Sequence, residues 1–118
     1  MTSIDVRLRI LFGSKLAIGP GRIELLEGVR RTGSLAEAAR DMHMSYRRAW
    51  LLMQSLNGSL RTPASIPARG GRRGGGATVT AAGLALIRTY RRMEANAMRE
   101  ARRRFAKFAR AETNKTSK

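Results

Sequence analysis

The sequence predicts one mainly α-helical domain of the α+β class, with an N-terminal strand, a small β-hairpin and a long C-terminal helix. A chain of 118 residues suits a single compact core. Most apolar residues recur at helical spacing, and a glycine-rich stretch at 70–76 separates two short β-type segments. We place the domain at residues 1–98 and expect residues 99–118 to form a basic helical extension that ends in a disordered tail.

The first predicted element is a strand over residues 5–12. Apolar residues at every second position alternate there with Arg7 and Arg9, which is the pattern of a strand with one buried face. Gly13 and Ser14 are then expected to turn the chain. The strand therefore opens the domain and leads into its helical part.

Two helices are predicted to follow. The first covers about 20–32, because a proline suited to the first helical turn opens it and Gly33 suits the left-handed residue that ends it. Ser34 and Glu37 then form a capping-box pattern, in which the serine hydroxyl accepts the Glu37 amide and the Glu37 side chain reaches back. The second helix continues to about Met42, and its alanines allow another helix to approach closely.

A third helix is predicted after a short turn at 41–44. Ser45 can cap it, and it is expected to continue to about Asn57. The β-type segments at 65–69 and 77–79 flank the glycine-rich stretch, so they are expected to pair as a hairpin. Two helices joined by a short turn and followed by such a hairpin form a candidate helix-turn-helix with a wing.

The last predicted helix begins after Thr80 and carries apolar residues at helical spacing, namely Leu84, Ile87, Tyr90 and Met93. Six basic residues follow between 99 and 110. Four apolar residues keep a 3-4-3 spacing near them, from Met98 to Phe108, which is compatible with a helical continuation.

The third helix is predicted to be amphipathic. Its buried stripe covers about a third of the circumference and consists of Ala49, Leu52, Met53 and Leu56. Arg47, Leu51 and Gln54 point the opposite way, and an outward arginine near a helix start can bind guanine or a phosphate with its fork of donors. On helix geometry alone, a solvated face explains the arginines equally well. Trp50 is expected to be a buried aromatic that braces the helix.

The segment around the glycines carries Arg69, Arg72 and Arg73. Glycine lets the backbone lie flat against a ligand, and arginines on such a tip suit a minor groove or flanking phosphates. Composition does not distinguish this role from that of a flexible linker. At the start of the third helix, Ser45 is expected to be a cap whose hydroxyl can also reach a phosphate. Tyr46 either contacts a nucleic-acid backbone or covers the core edge.

Charge is the most informative bulk property. The chain has 24 basic and 8 acidic residues, a net charge of +16. Residues 61–118 hold 15 basic and 3 acidic residues, against 9 and 5 in residues 1–60, so the excess is local. Such a charge indicates a polyanionic partner, with nucleic acid ahead of an anionic membrane surface.

Several classes of protein are not expected. There is no cysteine and only one histidine, His43, in a predicted turn, so we expect no metal site, no cofactor and no enzyme. Apolar runs fall far short of the ~20 residues of a membrane span, and we expect no secretory signal, because no charged segment followed by an apolar run occurs near residue 1. We expect a cytoplasmic, nucleoid-associated protein without a membrane partner.

The stretch from Gly19 to about Glu94 resembles the N-terminal DNA-binding domain of the ModE-type molybdate-dependent transcriptional regulators, a winged helix-turn-helix related to LysR-type domains. The matching strings are GPGRIELLE at 19–27, TGSLAEAAR at 32–40, MSYRRAW at 44–50, GGRRGGGA at 70–77 and VTAAG at 79–83. The resemblance implies that the third helix enters the major groove through residues 45–48 and that the wing contacts DNA. It also implies a homodimer on a two-fold symmetric operator, with the first strand and the last helix helping to pair the subunits.

The chain also departs from that family. Full-length members carry C-terminal molybdate-binding domains and this chain is too short for one, so molybdate is not expected to bind it directly. Arg73 stands where the family usually keeps glycine. Pro67 lies in the first wing strand, which must then be an edge strand or be broken.

These observations predict a sequence-specific, dimeric regulator that binds double-stranded DNA, linked by the resemblance to molybdate or metal-oxyanion metabolism. The candidate DNA-binding residues are Ser34, Ser45, Tyr46, Arg47, Arg48, Leu51, Arg69, Arg72 and Arg73. Three alternatives remain open: an architectural protein that coats DNA, an RNA-binding protein, and a small enzyme or ligand sensor. The low aromatic content of 5% argues against base stacking on an RNA-binding platform.

Overall fold

A computed structural model describes residues 3–14, 16–68 and 76–110. The elements, in chain order, are β1 (Ile10–Phe12), β2 (Leu16–Ile18), α1 (Pro20–Thr32), α2 (Leu35–Asp41), α3 (Tyr46–Gly58), β3 (Ser65–Ala68), β4 (Gly76–Val79) and α4 (Ala81–Phe105). Strands β1 and β2 form one antiparallel pair, and β3 and β4 form another. The predicted α+β class, with a wing hairpin after three helices and a long last helix, is confirmed.

The helix boundaries follow the predicted caps. Helix α1 ends at Gly33, whose φ of 73° is the left-handed conformation that glycine adopts readily. The Ser34 hydroxyl accepts the Glu37 amide at 3.1 Å, and the Ser45 hydroxyl accepts the Arg48 amide at 3.1 Å. Each serine therefore satisfies an amide that its helix leaves unpaired.

The capping box before α2 is only half formed. The predicted return contact from the Glu37 side chain is replaced, because the Ser34 amide donates to the Thr32 hydroxyl at 3.2 Å. Thr32 ends α1 only two residues earlier and also donates to the Gly28 carbonyl at 2.8 Å. The Thr32 hydroxyl thus accepts the hydrogen bond that the glutamate side chain accepts in a complete capping box.

The core lies where α1, α2 and α3 meet beneath the wing. Its most fully buried large side chains are Ile18, Ile23, Leu25, Leu26, Val29 and Leu56. Helices α1 and α2 approach closely at Gly28, where a Cβ atom would lie 2.9 Å from that of Ala38. The small residues of α2 therefore permit the close packing that the sequence predicts.

The N-terminal strand is shorter than predicted. Residues 3–10 alternate between exposed and half-buried as expected, but only Ile10–Phe12 pair with a neighbour, in a hairpin with Leu16–Ile18. The second strand was not predicted, because three residues are too few to show an alternating pattern. Phe12, expected on the buried side, is 40% exposed.

Residues 3–9 run along α4 instead of joining a sheet. The Tyr90 hydroxyl donates to the Leu8 carbonyl at 2.8 Å, and the Arg102 Nε–H donates to the Ile4 carbonyl at 3.1 Å. Side chains of α4 thus satisfy carbonyls that a partner strand would otherwise bind. The later residue of α4 binds the earlier residue of the segment, so the two run antiparallel.

The wing is tied to the helices at its base. In the β3–β4 register Ser65 lies opposite Val79 and Pro67 opposite Ala77. A two-stranded hairpin has only edge strands, so the predicted edge position of Pro67 is confirmed. The Ala77 amide donates to the Gly33 carbonyl at 3.0 Å, which fixes the wing against the junction of α1 and α2.

Helix α4 runs unbroken through residue 98 to Phe105. The Arg91 guanidinium bridges it to α1, donating to Glu27 at 2.8 and 3.0 Å and to Glu94 at 2.7 Å. The two carboxylates, with the Glu27 hydrogen bonds contributing most, raise the pKa of Arg91 above its already high value. The predicted disordered tail at 112–118 lies outside the described residues.

Among the described residues, no helix combines the length and apolar character that crossing a lipid bilayer requires.

Candidate nucleic-acid interface

Helix α3 turns an apolar stripe inward and a polar face to solvent. Ala49, Met53 and Leu56 are buried, as the helical wheel predicts, and Leu52 is half-buried. The outward residues Arg47, Arg48, Leu51 and Gln54 are all exposed. The structure therefore brings four of the candidate residues, Ser45, Tyr46, Arg47 and Arg48, together at the exposed start of one helix.

The arginines on this face differ from most of those near α4. Within the described residues, the side chains of Arg47 and Arg48 make no hydrogen bond and no ion pair. By contrast, carboxylates neutralise many other arginines of the described chain, in the pairs Arg31–Asp41, Arg91–Glu27, Arg102–Asp5, Arg103–Glu100 and Arg104–Glu100. The donors of Arg47 and Arg48 thus remain available to an external anion.

The prediction that Trp50 is buried is wrong. Its side chain is 44% exposed, and Tyr46, one turn earlier on the same side of α3, is 48% exposed. Trp50 lies one residue beyond the buried Ala49, and this rotation of about 100° carries it out of the core towards the wing. With Ile66 of β3 both aromatic rings line a cleft of about 170 Å³ between α3 and the hairpin.

Ser34 stands apart from the other candidates. It is 6% exposed, its hydroxyl accepts the Glu37 amide, and its backbone bridges to Gly76 of the wing. Through these contacts Ser34 joins α1, α2 and β4. Little of its surface remains for a ligand.

The wing-tip candidates Arg69, Arg72 and Arg73 lie outside the described residues. The structure describes the strands on either side of them, whose last paired residues are Ala68 and Gly76. The described part of the wing therefore lies beside α3 across the cleft that Trp50 lines.

One arginine near this face, Arg22 of α1, was not among the predicted site residues. It donates from Nη1 to the Ala17 carbonyl and from Nη2 to the Ser55 hydroxyl, both at 2.9 Å. Burial, and then the charge of Arg48, lower the pKa of Arg22. No sequence signal marks it, because only the packing of α1 against α3 brings it to Ser55.

Around Arg22 is an open surface depression of about 430 Å³. Its lining consists of Arg22, Ser45, Arg47, Arg48, Leu51, Leu52 and Ser55. Three guanidinium groups and the Ser45 hydroxyl thus border one concave area as donors suited to an oxyanion, whereas the Ser55 hydroxyl donates to the Leu52 carbonyl.

Candidates for other chemistry do not converge. His43 has a φ of 57°, so it occupies the tight turn between α2 and α3. In the described segments, no three histidine, aspartate or glutamate side chains are grouped as metal ligands.

Comparison with known proteins supports the regulatory interpretation. The "Molybdenum-pterin-binding protein MopB" of Rhodobacter capsulatus is 44% identical over 78 residues, which are 66% of this chain and 29% of that protein. The "DNA-binding transcriptional dual regulator ModE" of Escherichia coli K12 is 34% identical over 86 residues, 73% of this chain and 33% of the regulator. The chain carries a ModE-like winged-helix domain.

The ModE-like domain also resembles solved DNA complexes. It matches the CbnR DNA-binding domain crystallised with DNA at a TM-score of 0.59 and 26% identity, over 75% of this chain and 97% of the other. Full-length CbnR with its target DNA matches at 0.55 and 28% identity, over 70% of this chain and 27% of that one. The matched part of each is a LysR-type DNA-binding domain. No protein-family model matches the chain.

The matched relatives are much longer proteins. The ModE-like domain spans about a third of their length, with shares of 29% for MopB and 37% for "Transcriptional regulator ModE" of Haemophilus influenzae, which is 30% identical over 94 residues. The similarity therefore concerns one domain of these relatives. It does not by itself assign the activity of the whole relatives to this chain.

Proposed function

We propose that this chain is a transcriptional regulator that binds double-stranded DNA, with α3 in the major groove and the wing along the flanking backbone. The observation that carries this proposal is the exposed start of α3, where Arg47 and Arg48 have no carboxylate partner among the described residues. A helix of this kind contacts base edges through its first residues. The relatives named as ModE regulators and the CbnR complexes with DNA support the same interpretation.

The candidate contacts divide into two classes. Arg47 points directly away from the buried stripe, so its paired donors suit guanine O6 and N7. Ser45, Tyr46 and Arg48 border the helix start, where backbone phosphates pass, and such contacts fix position without reading sequence. We assign Leu51, which is 48% exposed, to apolar contact in the groove. The wing arginines are assigned to phosphates or the minor groove.

We further propose that two copies pair through α4 and the N-terminal strand. Leu11 of β1 is 63% exposed and Met93 of α4 is 46% exposed, although both are apolar. Along α4, the apolar residues Ala82, Leu86, Met93 and Ala97 recur at spacings of 4, 7 and 4, which places them on one side of the helix. A second copy is the partner that such a face suits, and it would set two α3 helices on a two-fold symmetric site.

The names of the relatives suggest which genes are controlled. Proteins named for molybdenum transport and molybdenum-pterin binding share this domain. We propose that the regulated genes serve molybdate or a related oxyanion, and that the DNA-binding domain itself does not bind the oxyanion.

Selection of bound duplexes from a random pool tests the proposal. We expect enrichment of one two-fold symmetric sequence whose half-sites are about one helical turn apart. A protein that only coats DNA, which the charge of +16 also suits, would enrich no sequence. Preference for a single-stranded RNA pool over the duplex pool would equally contradict the proposal.

A further inference from the structure

We propose that Arg22 of α1 and Arg48 of α3 form, with the Ser45 hydroxyl, an oxyanion site that holds one backbone phosphate of the bound duplex, while the Ser55 hydroxyl orients Arg22. The inference rests on the proposed function, and it adds a residue from α1 to an interface otherwise built from α3 and the wing. It makes Arg22 a contact that fixes the depth and angle at which α3 enters the groove.

Arg22 is held in place before any ligand binds. Its guanidinium donates to the Ala17 carbonyl and to the Ser55 hydroxyl, each at 2.9 Å. The Ser55 hydroxyl in turn donates to the Leu52 carbonyl at 3.0 Å. A long side chain that is already ordered loses little further rotamer entropy when it binds an anion.

The fixed guanidinium still has unused donors. Arginine carries five N–H groups, and two of them account for the contacts described. The Nε atom is buried and has no hydrogen-bond partner among the described residues, and a buried polar atom without a partner is costly. The ligand must therefore bind the remaining Nη hydrogens of Arg22, which can donate to an oxygen in the depression that this residue lines.

The local charge also favours an anion. Arg22 and Arg48 line the same depression, and the residues around it include no carboxylate; burial, and then the charge of Arg48, lower the pKa of Arg22. Arg91 shows the opposite arrangement, because Glu27 and Glu94 neutralise it at 2.7 to 3.0 Å. Repulsion between Arg22 and Arg48 is relieved when an external oxyanion lies between them.

The position of the site indicates a phosphate of the duplex. Arg47 and Leu51, which we assign to the groove, line the same depression as Arg22, so the site borders the face that meets DNA. Arg22 itself lies on α1 and is half-buried, set back from the surface that can reach base edges. A contact so placed meets the backbone that flanks the groove, and it positions the protein without reading sequence.

Neutral phosphate analogues test this inference. In a duplex that carries the selected site, single phosphates are replaced by methylphosphonates one position at a time, and the affinity of each duplex is measured at fixed salt. We expect one position in each half-site where the replacement weakens wild-type binding roughly tenfold. At that position Arg22→Gln and Arg48→Gln should show no further weakening, because the contact is already lost.

Arg92→Gln is the matched control, since Arg92 is an exposed arginine of α4. This variant should remain sensitive to the same methylphosphonate. Arg48 is exposed, so its substitution tests the site even where Arg22→Gln lowers the amount of folded protein. If wild type binds the duplex but neither variant loses sensitivity at any position, the inference is wrong and the proposed function stands.

If wild type binds no duplex, the proposed function is wrong and a second measurement decides the site. Inorganic phosphate is titrated while the Arg22 Nε–H resonance is followed by NMR. A saturable shift that is absent in Arg48→Gln supports an oxyanion site for a free ligand. An unmoved resonance overturns the site altogether.

Discussion

At the scale of single residues, Gly83 shows how one position fixes the wing on α4. A Cβ atom there would lie 2.1 Å from the Ala64 carbonyl oxygen and 2.7 Å from the Val79 side chain. The same carbonyl accepts the Thr80 amide at 2.9 Å. The backbone before β3 therefore touches the first turn of α4 at a distance that only glycine allows.

Gly83→Ala should destabilise the domain despite the better helix propensity of alanine. The new methyl group would overlap the backbone of Ala64, and the backbone cannot shift without straining the fold. We therefore expect the free energy of unfolding to fall by about 2 kcal/mol. Urea unfolding measures it. Gly21→Ala in α1 is the control, because no atom lies within 4 Å of its added Cβ, and it should be neutral or stabilising by up to ~1 kcal/mol. Equal effects of the two variants would contradict the close contact at Gly83.

Tyr90 is a second residue whose environment has a measurable effect. It is 3% exposed, and its hydroxyl donates to the Leu8 carbonyl. Burial, followed by the Glu94 carboxylate, raises the pKa of Tyr90 above its ordinary value. The folded state thus holds the phenol proton more tightly than the unfolded chain does.

Tyr90→Phe should lower the free energy of unfolding by about 1 kcal/mol near neutral pH, because the Leu8 carbonyl loses its donor. The contribution of the raised pKa is complete below the ordinary tyrosine pKa of about 10 and is lost as the pH rises through the folded-state pKa. The gap between wild type and variant should therefore shrink in alkaline solution. Urea unfolding across the alkaline range checks this, and a gap that stays constant would contradict it.

Residue roles were predictable where they depend on local chemistry. Ser34 and Ser45 were predicted as helix caps because each hydroxyl binds an amide only three residues later in the chain. Trp50 was misplaced because burial depends on which neighbour covers a side chain, and the wing leaves that side of α3 open. Arg22 was missed because its partner Ser55 lies 33 residues away, a separation that no sequence pattern spans.

At the scale of elements, the helices were better predicted than the strands. Helix α1 has the predicted bounds, and α3 extends one residue beyond its prediction, because periodicity and caps agree there. The N-terminal segment alternates like a strand, yet residues 3–9 bind α4. Alternating apolar residues indicate that one side of a segment is buried. They do not indicate whether a strand or a helix covers that side.

At the scale of elements, the proposed function assigns sequence recognition to the exposed start of α3. Arg47→Gln should reduce the ratio of specific to random duplex affinity about tenfold or more, since a paired arginine–guanine contact contributes ~1–3 kcal/mol of discrimination. Competition binding with the selected site and with random duplex measures the ratio.

Arg48→Gln is the control for that experiment, because we assign Arg48 to a phosphate. It should weaken both duplexes alike and reduce the salt dependence of binding by about one counterion. If Arg47→Gln leaves the affinity ratio unchanged, Arg47 does not recognise a base.

At the scale of the whole molecule, α4 makes the protein elongated. Its 25 residues span about 37 Å, and the Cα radius of gyration of 17.6 Å exceeds the ~13.5 Å of a compact domain of this length. This helix leaves the apolar side chains of Met93 and Phe105 exposed, which supports the proposed pairing of two copies. The sequence alone predicts the helix, but the proposed dimer was predicted mainly from the resemblance.

Met93→Glu should shift the protein from dimer to monomer without unfolding it, because the added carboxylate would be desolvated between two helices. Analytical ultracentrifugation measures the dissociation constant, which we expect to rise at least tenfold. Ala95→Glu adds the same charge about 200° away on α4 and should leave the dimer intact. A monomeric wild type, or equal effects of both substitutions, would contradict pairing through this face.

The central claim is that α3, rather than the basic end of the chain, meets the duplex. Side-chain NMR of the arginine Nε–H groups during titration with the selected duplex tests it most directly. We predict large, saturable shifts for Arg47 and Arg48, while Arg91, held by Glu27 and Glu94, stays unchanged. Unmoved resonances for Arg47 and Arg48, with shifts confined to the arginines after residue 98, would contradict the account.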